Sequence, residues 1–413
     1  FDESGYSVSL SANGYIVAIG APYHDGDETD INDNRGHVKV YQYDGTQWNQ
    51  LGGDIDGETT YDFSGWSVSL SSEGTIVAIG SPGNDNLKGS VKVYEYEGST
   101  WTQLGGDIDG EATYDQTGIR VSLSADGMIV AISANRNDGD SGNVDDNRGH
   151  VRVYEYDGST WNQLGGDIDG EAAGDNSGFS VSLSADGDIV AIGAPRNDGY
   201  RGHVRVYQYE GSTWTQLGDD IVGEGEGDYS GWSVSLSSDG TIVAIGAIYN
   251  DGNETSTSDN RGHVKVYEFD GTTWSQIGQE INGETADDQS GFSVSLSADG
   301  DRVAIGAYRN DDKEFDSGHV RVYQLPLPIE THFIDIDTSV HCDSVVGNLT
   351  GDVTGDVTGN LTGDVTGNLT GDVTGDVTGN LTGDVTGDVT GNLTGDVTGD
   401  VTGNLTGDVT GDV

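Results

Sequence analysis

Basic residues are scarce: 17 Lys+Arg stand against 71 Asp+Glu, a formal net charge of -54. A surface that gripped nucleic acid or an anionic membrane would need the opposite balance. Cysteine is nearly absent, with one residue in 413. That excludes an internal disulfide framework and any zinc site built on several thiolates. No apolar run approaches the ~18 residues of a membrane span. No window repeats apolar residues at i, i+3 and i+4, so essentially no helix is expected. The one Met is Met128, and the chain opens at Phe1 inside a repeating pattern, as a processed product or a segment would. Proline is rare too, and Pro326 and Pro328 are the only closely spaced pair.

What is abundant is glycine, 67 residues, and it is placed periodically. A Ser-Gly-aromatic or similar head recurs six times, with its glycine at 5, 65, 118, 178, 231 and 291. The spacings are 60, 53, 60, 53 and 60 residues. Each unit reads as four short strands. In the fourth unit Ser180-Val181-Ser182-Leu183-Ser184 alternates like a half-buried strand, and Ala185-Asp186-Gly187 is a turn. Ile189-Val190-Ala191-Ile192 is continuous and apolar, as in a strand covered on both faces. Gly202 to Tyr209 alternates again, and Trp214-Thr215-Gln216-Leu217 closes the unit. Four strands per 50 to 60 residues is the period of a β-propeller blade.

The segment SGFSVSLSADGDIVAIGAPRNDGYRGHVRVYQY (177–209) resembles the FG-GAP type of propeller repeat found in microbial and algal surface proteins. The resemblance covers all six units, residues 1–325. It implies a propeller, often of seven blades, used for adhesion or display. Some relatives bind calcium through an Asp-x-Asp-x-Asp-Gly loop. Here Asp25-Gly26 and Asp138-Gly139 lack the upstream acidic partners of that loop.

The alternating spacing arises between strands two and three. Units one, three and five carry long acidic loops, Tyr23–Arg35, Arg136–Arg148 and Tyr249–Arg261, each ending Asp-Asn-Arg-Gly-His. Units two and four have short ones, Pro82–Lys88 and Pro195–Arg201. Duplication of a two-blade module favours an even number, so six blades are expected, with seven as the alternative. The sixth unit lacks its Trp-containing strand.

Candidate chemistry is sparse. His37, His150, His203, His263 and His319 recur once per unit, which scatters them around a ring as blade-edge side chains. Trp48, Trp101, Trp161, Trp214 and Trp274 recur likewise and are expected between blades. Trp66 and Trp232, at the unit heads, read as core. The clustered carboxylates of the long loops suit calcium, a hard cation that takes six to eight oxygens. The residues are Asp25, Asp27 and Asp30, followed by Asp33, and their counterparts Asp138, Asp140 and Asp145, followed by Asp146. No catalytic centre is expected, because nearly every reactive side chain is a per-blade copy. Cys342 beside His341 reads as a free thiol or an intermolecular bridge.

Residues 326–346 form a linker. From 347 to 413 a second repeat takes over, Thr-Gly-Asp-Val or Thr-Gly-Asn-Leu, with 17 Gly, 11 Asp and no Lys or Arg. Every Asn there opens Asn-Leu-Thr, an N-glycosylation sequon. The sites are Asn348, Asn360, Asn368, Asn380, Asn392 and Asn404, spaced 12, 8, 12, 12 and 12. Asn253, in Asn-Glu-Thr, is a weaker seventh. The expectation is an extended, glycan-bearing stalk of up to ~220 Å. The alternative is a bare β-solenoid of three tetrads per rung, ~4.8 Å apart, too tight for stacked glycans. Together the two repeats suggest an all-β extracellular or cell-surface structural glycoprotein. It would self-associate into a fibre or join other surface glycoproteins. A calcium-dependent or lectin-like adhesin is the second reading.

Overall fold

A computed structural model describes residues 2–26, 32–139, 146–252, 259–311 and 317–325. The six units fold as six antiparallel sheets in chain order, the blades of an all-β propeller. Six, rather than seven, is the number found. Asp27, Asp30, Asp140, Asp145, Asn253, Cys342 and the whole tetrapeptide repeat with its sequons lie outside the described residues.

Blade 4 shows how the sequence sets the sheet. Its inner strand is Ser180–Leu183, followed by Ile189–Ala194 and His203–Tyr209, all antiparallel. The turn between the first two needs Gly187, whose φ is +82°, a region an L residue resists. A Cβ there would also meet Ile129 of blade 3 at 2.5 Å. Asp186 closes the turn by accepting from the Ser184 hydroxyl at 2.5 Å. The sequence allotted one outer strand, but the structure divides it into Trp214–Gln216 and Ile221–Val222, both paired with His203–Tyr209. The break falls at Gly218, where φ is +66°. In blade 5 the strand runs unbroken from Trp274 to Asn282 through a bulge. Among the described residues blade 6 has three strands, Ser290–Leu296, Arg302–Ala307 and His319–Gln324, and no Trp-containing strand. The short loops of blades 2 and 4 contain four-residue turns, Asn84–Leu87 and Asn197–Tyr200, with left-handed residues inside them. Among the described residues no helix is long and apolar enough to cross a membrane.

The core lies between blades rather than within one. Ala18, Val38 and Val40 of blade 1 pack on Val68, Leu70 and Ile79 of blade 2, and four equivalent clusters join each later pair. The continuous apolar strand follows from this, since it is covered on both sides. Main-chain hydrogen bonds run from blade to blade across the inner turns. Ala12 N donates to Ser72 O, Ser72 to Ala125, Ala125 to Ala185, Ala185 to Ser238 and Ser238 to Ala298, at 2.7 to 2.9 Å. Among the described residues no sixth cluster joins blade 6 to blade 1. Val8 and Leu10 of blade 1 are 63% and 59% exposed, and Val320 and Val322 of blade 6 are 70% and 65% exposed.

Candidate functional site

Four of the five recurring outer tryptophans serve a seam between blades. Trp101, Trp161, Trp214 and Trp274 donate their indole N–H to Leu51, Leu104, Leu164 and Leu217 of the preceding blade, at 2.7 to 2.8 Å. Trp48 of blade 1 is instead 48% exposed. The histidines open the third strands. His37, His150, His203 and His263 are buried. Their imidazoles lie near carboxylates of the outer strands: His150 Nδ1 is 3.8 Å from Asp167, and His203 Nδ1 is 3.8 Å from Asp220. Burial holds all four below their ordinary pKa, His150 down to about 4.

These histidines meet two carboxylates each: His37 with Asp54 and Asp56, His150 with Glu111 and Asp167, His203 with Glu171 and Asp220, and His263 with Glu224 and Glu280. One imidazole and two carboxylates is a donor set a divalent metal can use. In each group, however, the cation is already supplied by the chain. Arg152 pairs with both Glu111 and Asp167, Lys265 with Glu224 and Glu280, Arg205 with Glu171, and Lys39 with Asp54. The His37 cluster lies within blade 1, and the other three are ion-pair networks that tie one blade to the exit of the one before it. In blade 2, where Ser90 replaces the histidine, Lys92 still pairs with Glu58 at 2.5 Å and Asp107 at 3.6 Å.

The long loops begin on the predicted acids. Asp25 accepts from Asn34 N at 3.0 Å, and Asp138 from Asn147 N at 2.9 Å. Each fastens the base of its loop across nine residues. Asp33, the fourth acid of the first loop, is buried and accepts from Arg35 at 2.5 Å and from Thr60 at 2.7 Å. The Arg35 bond above all holds its carboxyl below the ordinary range.

A large asymmetric feature lies on the axis. A cavity of about 1100 Å³ is lined by the inner strands of all six blades. Sequence placed Trp66 and Trp232 in the core, but both line this cavity and are only half-buried. The reason is the glycine at each blade head, which has positive φ and presents the residue after it towards the axis. Five blades place an aromatic there: Tyr6, Trp66, Phe179, Trp232 and Phe292. Their rings interact along the wall. Tyr6 and Trp66 are 4.7 Å apart, Phe179 and Trp232 4.5 Å, and Trp232 and Phe292 6.0 Å.

Blade 3 departs from the pattern with Ile119-Arg120. Where the other blades have Ser7, Ser67, Ser180, Ser233 and Ser293, it presents a guanidinium. Arg120 lies over Phe179, 5.7 Å from the ring centre, and donates Nη1 to the carbonyl of Ile119 at 2.8 Å. Burial lowers its pKa, partly offset by the Tyr6 hydroxyl, whose own pKa is raised by burial. Arg120 pairs across the sheet with Ser133, which stands where other blades have Gly20, Gly80, Gly193, Gly246 and Gly306. The two departures face each other across the pair of strands. At Gly193 a Cβ would meet the Ser180 hydroxyl at 2.3 Å and the Gly231 carbonyl at 2.2 Å. The serine hydroxyl is met likewise at Gly20, Gly246 and Gly306, whereas at Gly80 the nearest contacts are all with Gly118 of the next blade. The cavity wall also includes Arg136 and Arg196 and, among the described residues, no Asp or Glu. No catalytic or binding motif in the sequence marks Arg120. The signal was the one unit head that breaks register, Thr117-Gly118-Ile119-Arg120.

The site and its frame define a β-propeller of recurring blades in which blade 3 alone, among the described residues, breaks the pattern facing the axis. The family model described as FG-GAP repeat matches residues 282–323, from the end of the outer strand of blade 5 to the third strand of blade 6. No curated protein sequence matches the chain. Among solved structures, a putative 6-phosphogluconolactonase from Bacteroides uniformis is 12% identical, with a TM-score of 0.51 over 78% of this chain and 80% of that one. TolB from Acinetobacter baumannii is 15% identical, with a TM-score of 0.40. That match covers 68% of this chain and about half, 54%, of TolB. At these identities the first likeness is one of fold alone, and the second carries no argument.

Proposed function

We propose that the chain is an extracellular structural protein of the adhesion and display type, with a propeller head on a glycan-coated repeat stalk that builds a surface fibre or appendage. The observation that carries this reading is the row of six Asn-Leu-Thr sequons in residues 347–413, at spacings of 12, 8, 12, 12 and 12. The head supports it in a different way. Its histidines, outer tryptophans and paired acids are spent on seams between blades, which suits a rigid displayed body rather than a catalyst. The test is secretion from a glycosylating host, mass spectrometry of the tail and electron microscopy of the product. Sugars on Asn348 through Asn404 and filaments with regularly spaced heads are expected. Bare asparagines and isolated particles would refute it.

The second reading, an adhesin whose stalk is a spacer, is favoured by the axial cavity. In that reading too the cation is calcium, at the long loops that Asp25 and Asp138 fasten. Chelation would then lower the melting temperature by mass action. A melting curve indifferent to chelator, with no metal by elemental analysis, would reject calcium.

A further inference from the structure

We propose that the axial cavity binds an acidic saccharide, with Arg120 taking the anionic group and the aromatic wall taking the sugar face. This deepens the lectin-like form of the adhesin reading, on which it rests, and is independent of whether the stalk builds a fibre.

Charge is the first argument. The chain has 71 acidic and 17 basic residues, yet three arginines and no carboxylate line the cavity. Among the described residues the cavity is thus a cationic spot in a strongly anionic body. Arg136 and Arg196 are exposed, whereas Arg120 is half-buried in the wall.

The state of Arg120 is the second argument. A guanidinium has five N–H donors and is costly to withdraw from water unless paired. Phe179 covers one face, and one N–H is spent on the carbonyl of the preceding residue. No carboxylate of the chain forms an ion pair with it among the described residues. Stacking on an aromatic face leaves the guanidinium edge free to take a carboxylate or sulfate by two parallel hydrogen bonds.

The third argument is that the departure is built in. Arg120 replaces a serine that elsewhere bonds the next blade: Ser7 donates to Gly65 O at 2.7 Å, and Ser180 to Gly231 O at 2.8 Å. Blade 3 forgoes that bond and also changes the cross-strand partner to Ser133. Two matched departures at one point of an otherwise regular array mark a position with a task of its own.

The wall selects the rest of the ligand. Trp66, Phe179 and Trp232 offer broad apolar faces, and Asn135, Asn147 and Gln116 offer amides. Flat apolar faces with interspersed amides suit pyranose rings, which have an apolar C–H face and a rim of hydroxyls. A volume of about 1100 Å³ admits a short oligosaccharide.

The experiment is titration calorimetry of the full chain with three matched oligosaccharides: uronic acid, sulfated and neutral. The variant is Arg120→Ser with Ser133→Gly, which gives blade 3 the sequence of its neighbours and so keeps the fold. An acidic oligosaccharide is expected to bind at least tenfold more tightly than the neutral one, and the double variant to lose that preference. The uronic and sulfated arms tell which anionic group is taken. Equal binding of acidic and neutral sugars, no binding of any, or an unchanged preference in the double variant would each overturn the proposal.

Discussion

The indole nitrogen of Trp101 donates to the main-chain carbonyl of Leu51, 2.7 Å away in the preceding blade. The same bond recurs at three more seams, so one side chain per repeat both fills the outer end of an inter-blade core and locks its register. Trp161→Phe keeps the ring and leaves the Leu104 carbonyl without its donor. A loss of about 1–2 kcal/mol is expected in urea unfolding. Trp48→Phe, on the uncovered face of blade 1, should change stability by less than about 0.5 kcal/mol. Equal effects would show that the bond does not stabilise the seam.

Arg120 and Ser133 should show strong coupling. Arg120→Ser alone sets a hydroxyl against the Ser133 side chain, a contact that glycine relieves in the other blades. Crowding of this kind costs about 1–3 kcal/mol. Adding Ser133→Gly should recover most of it, giving an interaction energy above about 0.5 kcal/mol in a double-mutant cycle. Additive single effects would contradict the steric account.

Glycine placement yields a sharper contrast. Gly193→Ala puts a methyl 2.2 Å from the Gly231 carbonyl and is expected to abolish or severely weaken folding. Gly166→Ala meets nothing within 4 Å. It should be neutral, or stabilising by about 0.4–1 kcal/mol through the unfolded chain. Thermal melts of the two variants suffice to check this.

Stability should fall between pH 7 and pH 5. The four buried histidines have folded pKa values below their unfolded value near 6.5, His150 at about 4. Between the two values the unfolded chain binds protons that the native one refuses. Their contribution is therefore complete above about 6.5 and declines as pH drops towards the folded pKa. His150→Gln should flatten the slope of melting temperature against pH in that window. Carboxylates such as Asp157 and Asp270, held low by turn amides, lose their contribution only at more acid pH, so they leave this window clean.

The blade was legible in the sequence because its signals are local. Alternation in Ser180–Leu183, the apolar run from Ile189 and the turn at Gly187 each fix one strand or turn. The count of six followed from the 60/53 alternation. The divided outer strand was not legible, because the break depends on the φ of Gly165 and Gly218, and a paired Ile-Asp two residues long has no period to detect. The roles of the histidines were half legible. Repetition argued against catalysis, but only the fold brings His150 of blade 3 to Glu111, which leaves blade 2. Trp66 and Trp232 were misplaced because an aromatic at a blade head looks the same whether it faces a seam or the axis. Arg120 was readable as an irregularity, and its meaning required the cavity.

Because each apolar core joins only neighbouring blades, and the described residues show five such seams for six blades, the head should behave as a linear array with two ends. Blades 1 and 6 have one stabilising neighbour apiece, while blades 3 and 4 are flanked on both sides by flanked blades. In such a nearest-neighbour system opening begins at the ends and travels inward. Amide exchange should accordingly be fastest in the strands carrying Val8 and Val320. It should be slowest in Ile129–Ala134 and Ile189–Ala194, and the blade that carries Arg120 would be among the last to come apart.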